Sequence, residues 1–174
     1  MGFNTDKKAL IVIDMQSQFL TGEYVKATIG STIKACVREI EDAKNRNDIV
    51  VVVEFISCGR TEPSIRKALK GYKYGFVARK LQWDGSKEIL QCLEQNNLKP
   101  NHFLISGIYS DICVSRTIKG LAANTTFKID IIHDACNGNV DYYDTYDPYQ
   151  GADLLSNVRV VYNPTDSNLK DASV

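Results

Sequence analysis

Two continuous apolar runs, ALIVI within Lys8–Ile13 (KALIVI) and IVVVV within Ile49–Phe55 (IVVVVEF), constrain this chain more than any other feature. A strand with one wet face alternates apolar and polar residues. A continuous β-branched run instead suits a strand covered on both faces, as in a parallel sheet between two helical layers.

The rest of the chain repeats that theme. Further strands are expected at Gly75–Lys80 (GFVARK), 102–107 (HFLISG), 127–132 (FKIDII) and 158–162 (VRVVY). Alternation in GFVARK puts Phe76, Ala78 and Lys80 on one face. Between the strands, helical spacing predicts helices over 31–47, with Ser31 as N-cap, then near 65–70, near 86–95 and from Ile112 onward. The segment 137–150, rich in tyrosine (Tyr142, Tyr143, Tyr146, Tyr149), reads as a loop passing into a helix that ends near Asn157. Strands alternating with helices predict an α/β three-layer sandwich with right-handed crossovers. At 174 residues, without repeat or linker, the chain reads as one domain spanning 1–174.

The stretch HFLISGIYSDICVSRTIKGLAA, residues 102–123, is a strand, a turn and a helix that opens around Cys113. A cysteine in a first helical turn meets the positive end of the helix dipole and unpaired N–H groups. That setting favours thiolate, and the same N–H groups can hold an oxyanion. The plainer reading is a buried cysteine acting as a small hydrophobe. Asp14 and Lys80 also fall at the carboxyl ends of predicted strands, the side on which open α/β sheets bind ligands. Singly they read as a turn residue and a solvated strand end. Together with Cys113 they make a coherent set, because a carboxylate can take the thiol proton while an ammonium favours both anions.

Composition removes other classes. Lys plus Arg equals Asp plus Glu, 21 each, so no global field draws nucleic acid or an anionic membrane. The apolar runs are too short to span a bilayer. MGFNTDKK lacks the apolar core of a signal peptide and carries Asp6 where myristoylation wants Ser or Thr, so a cytoplasmic location is expected. Cys36, Cys58, Cys92, Cys113 and Cys136 are scattered and odd in number, which suits reduced thiols. With only His102 and His133 and no CxxC, a zinc site is not expected.

LIVIDMQSQF, the Lys80 strand end, and SGIYSDICVSRTIKGLAA followed by IDIIHDA carry a resemblance. Over about residues 8–136 the chain resembles the isochorismatase-like cysteine hydrolases, which include nicotinamidases, N-carbamoylsarcosine amidohydrolase and ureidoacrylate amidohydrolase. Asp14, Gln16 and Phe19 match that family's D-x-Q-x-x-F, and Gly107, Asp111, Cys113 and Val114 match its G-x-x-x-D-x-C-V turn. Lys80 precedes the cysteine by 113 − 80 = 33 residues, as the family's lysine does by thirty-odd.

The resemblance implies a six-stranded parallel sheet in the order 3-2-1-4-5-6 and a cis peptide at Ile108–Tyr109. It implies Asp14, Lys80 and Cys113 as catalytic residues, with the Tyr109 and Cys113 N–H groups as oxyanion hole. Gln16, Phe19, Trp83 and Tyr109 become the substrate-binding candidates. Strands three and one should lie about 10 Å apart, so Lys80 is expected to reach Asp14 only if the chain folds inward there.

The implied reaction is hydrolysis of a C–N bond in a small amide, carbamoyl or ureido compound through a thioester. A homo-oligomer is the expected assembly, with neither cofactor nor metal. Nicotinamidases hold a metal through an Asp and histidines after strand two, whereas VVVEFISCGRTEPSIRKAL has no histidine and offers only Glu54, Cys58 and Glu62. True isochorismatases lack the cysteine nucleophile, so Cys113 points away from vinyl ether cleavage. After Lys80, LQWDGSKEIL departs from the family's usual F-x-G-T ending. Two competing readings are a catalytically silent binding or assembly module and, more weakly, a thiol redox sensor.

Overall fold

The computed structural model describes residues 7–21, 28–138 and 148–162. In chain order they form β1 (Lys8–Ile13), α1 (Ile29–Asn45), β2 (Ile49–Phe55), α2 (Pro63–Leu69), β3 (Gly75–Lys80), α3 (Ser86–Gln95) and β4 (His102–Ile108). A π-turn (Ser110–Val114) then leads into α4 (Ser115–Asn124), followed by β5 (Lys128–Asn137), a 3-10 turn (Ala152–Leu154) and β6 (Val158–Val161). All pairings are parallel, in the order β3-β2-β1-β4-β5-β6. The chain is therefore an α/β fold with the expected strand order. No helix among the described residues is long and apolar enough to cross a membrane.

β1 explains why ALIVI carries no polar residue. Ala9, Ile11 and Ile13 pack into a core with Ile89 and Leu93 of α3 and Ile118 and Leu121 of α4. Leu10 and Val12 face the opposite core, under Ala35, Cys36 and Ile40 of α1 and Ile65 of α2. Both faces are dry, and each fully buried Leu or Ile contributes about 1.5–3 kcal/mol.

Local chemistry sets the element ends. α1 starts at Ile29, two residues before the expected cap, because Ser31 turns its hydroxyl back onto the Thr28 carbonyl at 2.6 Å and sits inside the helix. α2 is started by Pro63 and by Glu62, which accepts from the Ser64 and Ile65 N–H groups at 2.7 and 3.1 Å. β5 continues past the expected stop at 132, since a register shift between Ile105 and Gly107 lets Cys136 and Asn137 pair with Gly107 and Ile108. The helix expected to end near Asn157 is only the turn Ala152–Leu154, preceded by Gly151 at φ 73°. Tyr142, Tyr143 and Tyr146 lie outside the described residues. Tyr149 is buried, its hydroxyl 2.9 Å from His133 Nδ1.

Gly107 brings β4 against β1 where the site begins. At φ +125° it accepts a conformation L residues avoid, and a Cβ there would overlap the Ile13 carbonyl oxygen.

Candidate active site

β1 ends by turning sharply at Asp14. Its φ of 54° lies in the left-handed region that a short Asp side chain tolerates. The turn is held by the Asp14 N–H donating to the Val53 carbonyl at 3.0 Å and by the Gln16 N–H donating to the Asp14 carbonyl at 2.7 Å. The carboxyl group is thereby buried completely at the carboxyl edge of the sheet.

Lys80, the last residue of β3, is also fully buried, on one face with Ala78. Its Nζ lies 2.8 Å from Asp14 Oδ2 and donates to the Trp83 carbonyl at 2.9 Å. The chain does not fold inward to achieve this. β3 stays in register with β2 through the pair Phe55 and Lys80, and the lysine side chain itself crosses β2. The bare Gly85 backbone comes close to both the lysine stem and Val53. A Cβ on Gly85 would stand 3.2 Å from both Lys80 Cδ and Val53 Cγ1.

Cys113 is 6% exposed and lies inside the π-turn, not in the first turn of α4. The Val114 N–H reaches back to the Tyr109 carbonyl at 3.0 Å, a five-residue closure of the kind often found at functional sites. Thiol and ammonium converge on the Asp14 carboxylate. The Lys80 ammonium stands at ion-pair distance from that carboxylate, 2.8 Å from Oδ2.

The electrostatics reverse one expectation. Burial, reinforced by the nearby Asp14 carboxylate, pushes the Cys113 thiol up to about 12, although Lys80 pulls the other way. Burial also raises the Asp14 carboxyl above its ordinary value, against Lys80 and Cys113. Burial and the Asp14 charge thus favour the neutral thiol, while Lys80 favours the thiolate.

The remaining candidates divide. The Ile108–Tyr109 peptide is cis, and the Tyr109 carbonyl accepts from Ile112 and Val114. The Tyr109 hydroxyl donates to the Phe19 carbonyl at 3.2 Å. Phe19 sits edge-on to Tyr109 and to Phe55, with ring centroids 6.0 and 6.4 Å apart. Gln16 is not available to a substrate. Its Nε2 donates to the Phe55 and Gly59 carbonyls at 3.0 and 2.7 Å, and its Oε1 accepts from the Phe55 N–H at 2.6 Å. Trp83 is 47% exposed with the Arg116 guanidinium 5.1 Å from its ring, and only its carbonyl meets Lys80. Phe55, the Trp83 carbonyl and Thr117, which accepts from the Gly85 N–H at 3.0 Å, were not legible as site residues.

A metal of the nicotinamidase type does not fit the residues after β2. Glu54 accepts from the Thr61 N–H and hydroxyl at 3.2 and 2.8 Å, and Glu62 caps α2. Among the described residues no group of three His, Cys, Asp or Glu side chains gathers to hold an ion.

Solved structures share this architecture at low identity. The MAR1 ribonuclease from Caenorhabditis elegans is 19% identical with a TM-score of 0.72, covering 92% of this chain and 79% of its own. N-carbamoylsarcosine amidase from Thermoplasma acidophilum is 18% identical with a TM-score of 0.71, over 88% of this chain and 95% of its own. The nicotinamidase of Staphylococcus aureus is 17% identical with a TM-score of 0.70, over 89% and 97%. Likeness at this level speaks to the fold. No curated protein matches in sequence. The family model described as the isochorismatase domain, however, matches residues 8–145, the span that contains β1 to β5 and every residue of the buried cluster, and the chain belongs to that family.

Proposed function

We propose that the chain is a cysteine hydrolase that cleaves a C–N bond in a small amide, carbamoyl or ureido compound through a thioester. The observation that carries this reading is the fully buried Asp14–Lys80 pair, 2.8 Å apart, with the Cys113 thiol facing the same carboxylate. An ion pair taken out of water is costly to keep and needs a reason. A carboxylate whose hold on a proton is strengthened by burial is such a reason.

In the proposed cycle Asp14 takes the Cys113 proton as sulfur bonds to the substrate carbonyl carbon. The carbonyl π pair moves onto oxygen, where the Tyr109 and Cys113 N–H groups hold it. Collapse breaks the C–N bond as Asp14 returns the proton to the leaving nitrogen, and a thioester remains. Water then gives Asp14 a proton and attacks the thioester carbon. Collapse breaks the C–S bond, the thiol regains its proton, and the acid leaves. Lys80 keeps its charge throughout and stabilises the carboxylate between proton transfers. No step uses a metal or cofactor. Phe19, Tyr109 and Trp83 are proposed to line the substrate pocket, and the working form is proposed to be a cytoplasmic homo-oligomer with no nucleic-acid or membrane partner.

The test is ammonia release from nicotinamide, carbamoyl amino acids, ureides and biuret-like compounds, with and without chelator. Turnover that survives chelation and disappears in Cys113→Ala and Asp14→Asn supports the reading; turnover that persists in Cys113→Ala sinks it. The thiol at about 12 favours a second reading, a catalytically silent binding module. Mass spectrometry separates the two, because a silent member accumulates no adduct of 113 with any activated ester.

A further inference from the structure

The loop between β3 and α3 is fastened to the helix that follows the nucleophile. Lys80 donates to the Trp83 carbonyl at 2.9 Å, and two residues later the Gly85 N–H donates to Thr117 Oγ1 at 3.0 Å. Thr117 is fully buried on α4, four residues beyond Cys113. One turn further along α4, Gly120 leaves room for the same loop. A Cβ at Gly120 would overlap Ser86 Oγ and stand 2.5 Å from Asp84 Oδ2. Asp84 in turn accepts from the Ser86 N–H at 2.8 Å, which fixes the loop's exit into α3.

Lys80 depends on that loop from two sides. Its ammonium has Asp14 Oδ2 on one side and the Trp83 carbonyl on the other. Its stem has Gly85 above it, with Cδ one tight contact away from where a side chain would begin. A lysine side chain has four rotatable bonds and many rotamers. Reaching across a whole strand to one carboxylate requires that most of them be excluded. Gly85 of the docked loop crowds that stem, and its missing side chain is what leaves the lysine room there.

We infer that Thr117 is a positioning residue: through the Gly85 N–H it latches the 81–85 loop onto α4 and so holds the Lys80 ammonium at Asp14 and Cys113. This rests on the proposed roles of those three groups. The latch ties the nucleophile's own helix to the cation that tunes it, so a displacement of α4 moves both ends of the cluster together. Thr117 supplies only an acceptor. Valine keeps its shape and removes that acceptor, while serine keeps the acceptor and removes only a methyl group.

The experiment is the rate of Cys113 alkylation by iodoacetamide between pH 7 and pH 10 in the full chain, read by mass spectrometry with half-buried Cys58 as internal reference. It needs no substrate. Losing Lys80 in Lys80→Met raises the thiol by about 2 units and slows alkylation about tenfold, after allowing for the greater nucleophilicity of a more basic thiolate. Thr117→Val is expected to slow it about threefold across the range, an effect of about 1 unit. Thr117→Ser is expected to match the parent rate. If Lys80→Met slows the reaction and Thr117→Val does not, the latch is refuted and the Asp14–Lys80–Cys113 reading stands. If Lys80→Met has no effect, that reading fails and takes the latch with it. Slowing in Thr117→Ser equal to that in Thr117→Val also overturns the inference, since it assigns the effect to packing.

Discussion

Asp14→Asn separates the two things Asp14 is proposed to do. As a charge, the carboxylate raises the Cys113 thiol, second only to burial. As a base, it carries the proton. Asparagine is nearly isosteric and removes both, yet the two losses have opposite signs. Without the like charge, and with the Lys80 ammonium left unopposed in a dry pocket, the thiol falls by about 1–3 units. A drop of about 2 units gives about 100-fold more thiolate at pH 8, and the lower basicity of that thiolate takes back nearly tenfold, so net alkylation rises about tenfold. Hydrolysis, which needs the proton returned to the leaving nitrogen, is lost in the same protein. The assay is iodoacetamide labelling at pH 8 with quantitation of the Cys113 peptide, beside ammonia release. Slower or unchanged labelling in Asp14→Asn would falsify the placement of that carboxylate against the thiol.

Other perturbations test other layers of the structure. Lys80→Met leaves the Asp14 carboxylate buried and unpaired, and chemical denaturation is expected to record a loss of about 3–5 kcal/mol. Burial holds the Cys36 thiol up at about 12 from an ordinary 9.0. The native state therefore keeps that proton after the unfolded chain has lost it, and the associated stability, complete below pH 9, is lost as pH rises toward 12. The loss is about 2 kcal/mol by pH 10.5, and urea midpoints in Cys36→Ala are expected to fall less steeply over that range. Gln16→Ala strands three backbone partners, the Phe55 N–H and the Phe55 and Gly59 carbonyls, and is expected to cost about 1–3 kcal/mol or more. Its effect on activity is expected to be the same for every substrate, which a substrate-contacting residue does not show.

The parts legible from sequence were those in which one residue's period decides its surroundings. KALIVI and IVVVVEF admit little besides two-sided burial, and the alternation in GFVARK puts Lys80 on one face with Ala78, the face that the structure buries. What stayed hidden depends on partners distant in the chain. Gln16 in D-x-Q-x-x-F looks the same whether it meets a ligand or, as here, the backbone after β2. The reach of Lys80 was misjudged because strand spacing alone omits the length of the side chain lying across Val53. The helix terminus speaks for a Cys113 thiolate, whereas its burial and the Asp14 carboxylate, which bring in residues far away in the chain, push the thiol up. His133 and Asp134 read as a strand end, yet β5 runs on through them, its extra residues between Ile131 and Cys136 bulging past the short step from Ile105 to Gly107 on β4 before pairing resumes at Cys136 and Asn137.

The buried lysine also acts as a register check on an edge strand. β3 is bonded on one side only, where slippage meets least resistance. A slip of one residue would turn Arg79 or Leu81 toward Asp14 and send the Lys80 ammonium into solvent. The sheet would remain complete, and circular dichroism would record a folded protein. Its nucleophile would nevertheless have lost its cation. Counting Cys113 sites that react at the parent rate therefore counts correctly assembled molecules, and the chemistry of one thiol proofreads the outermost strand.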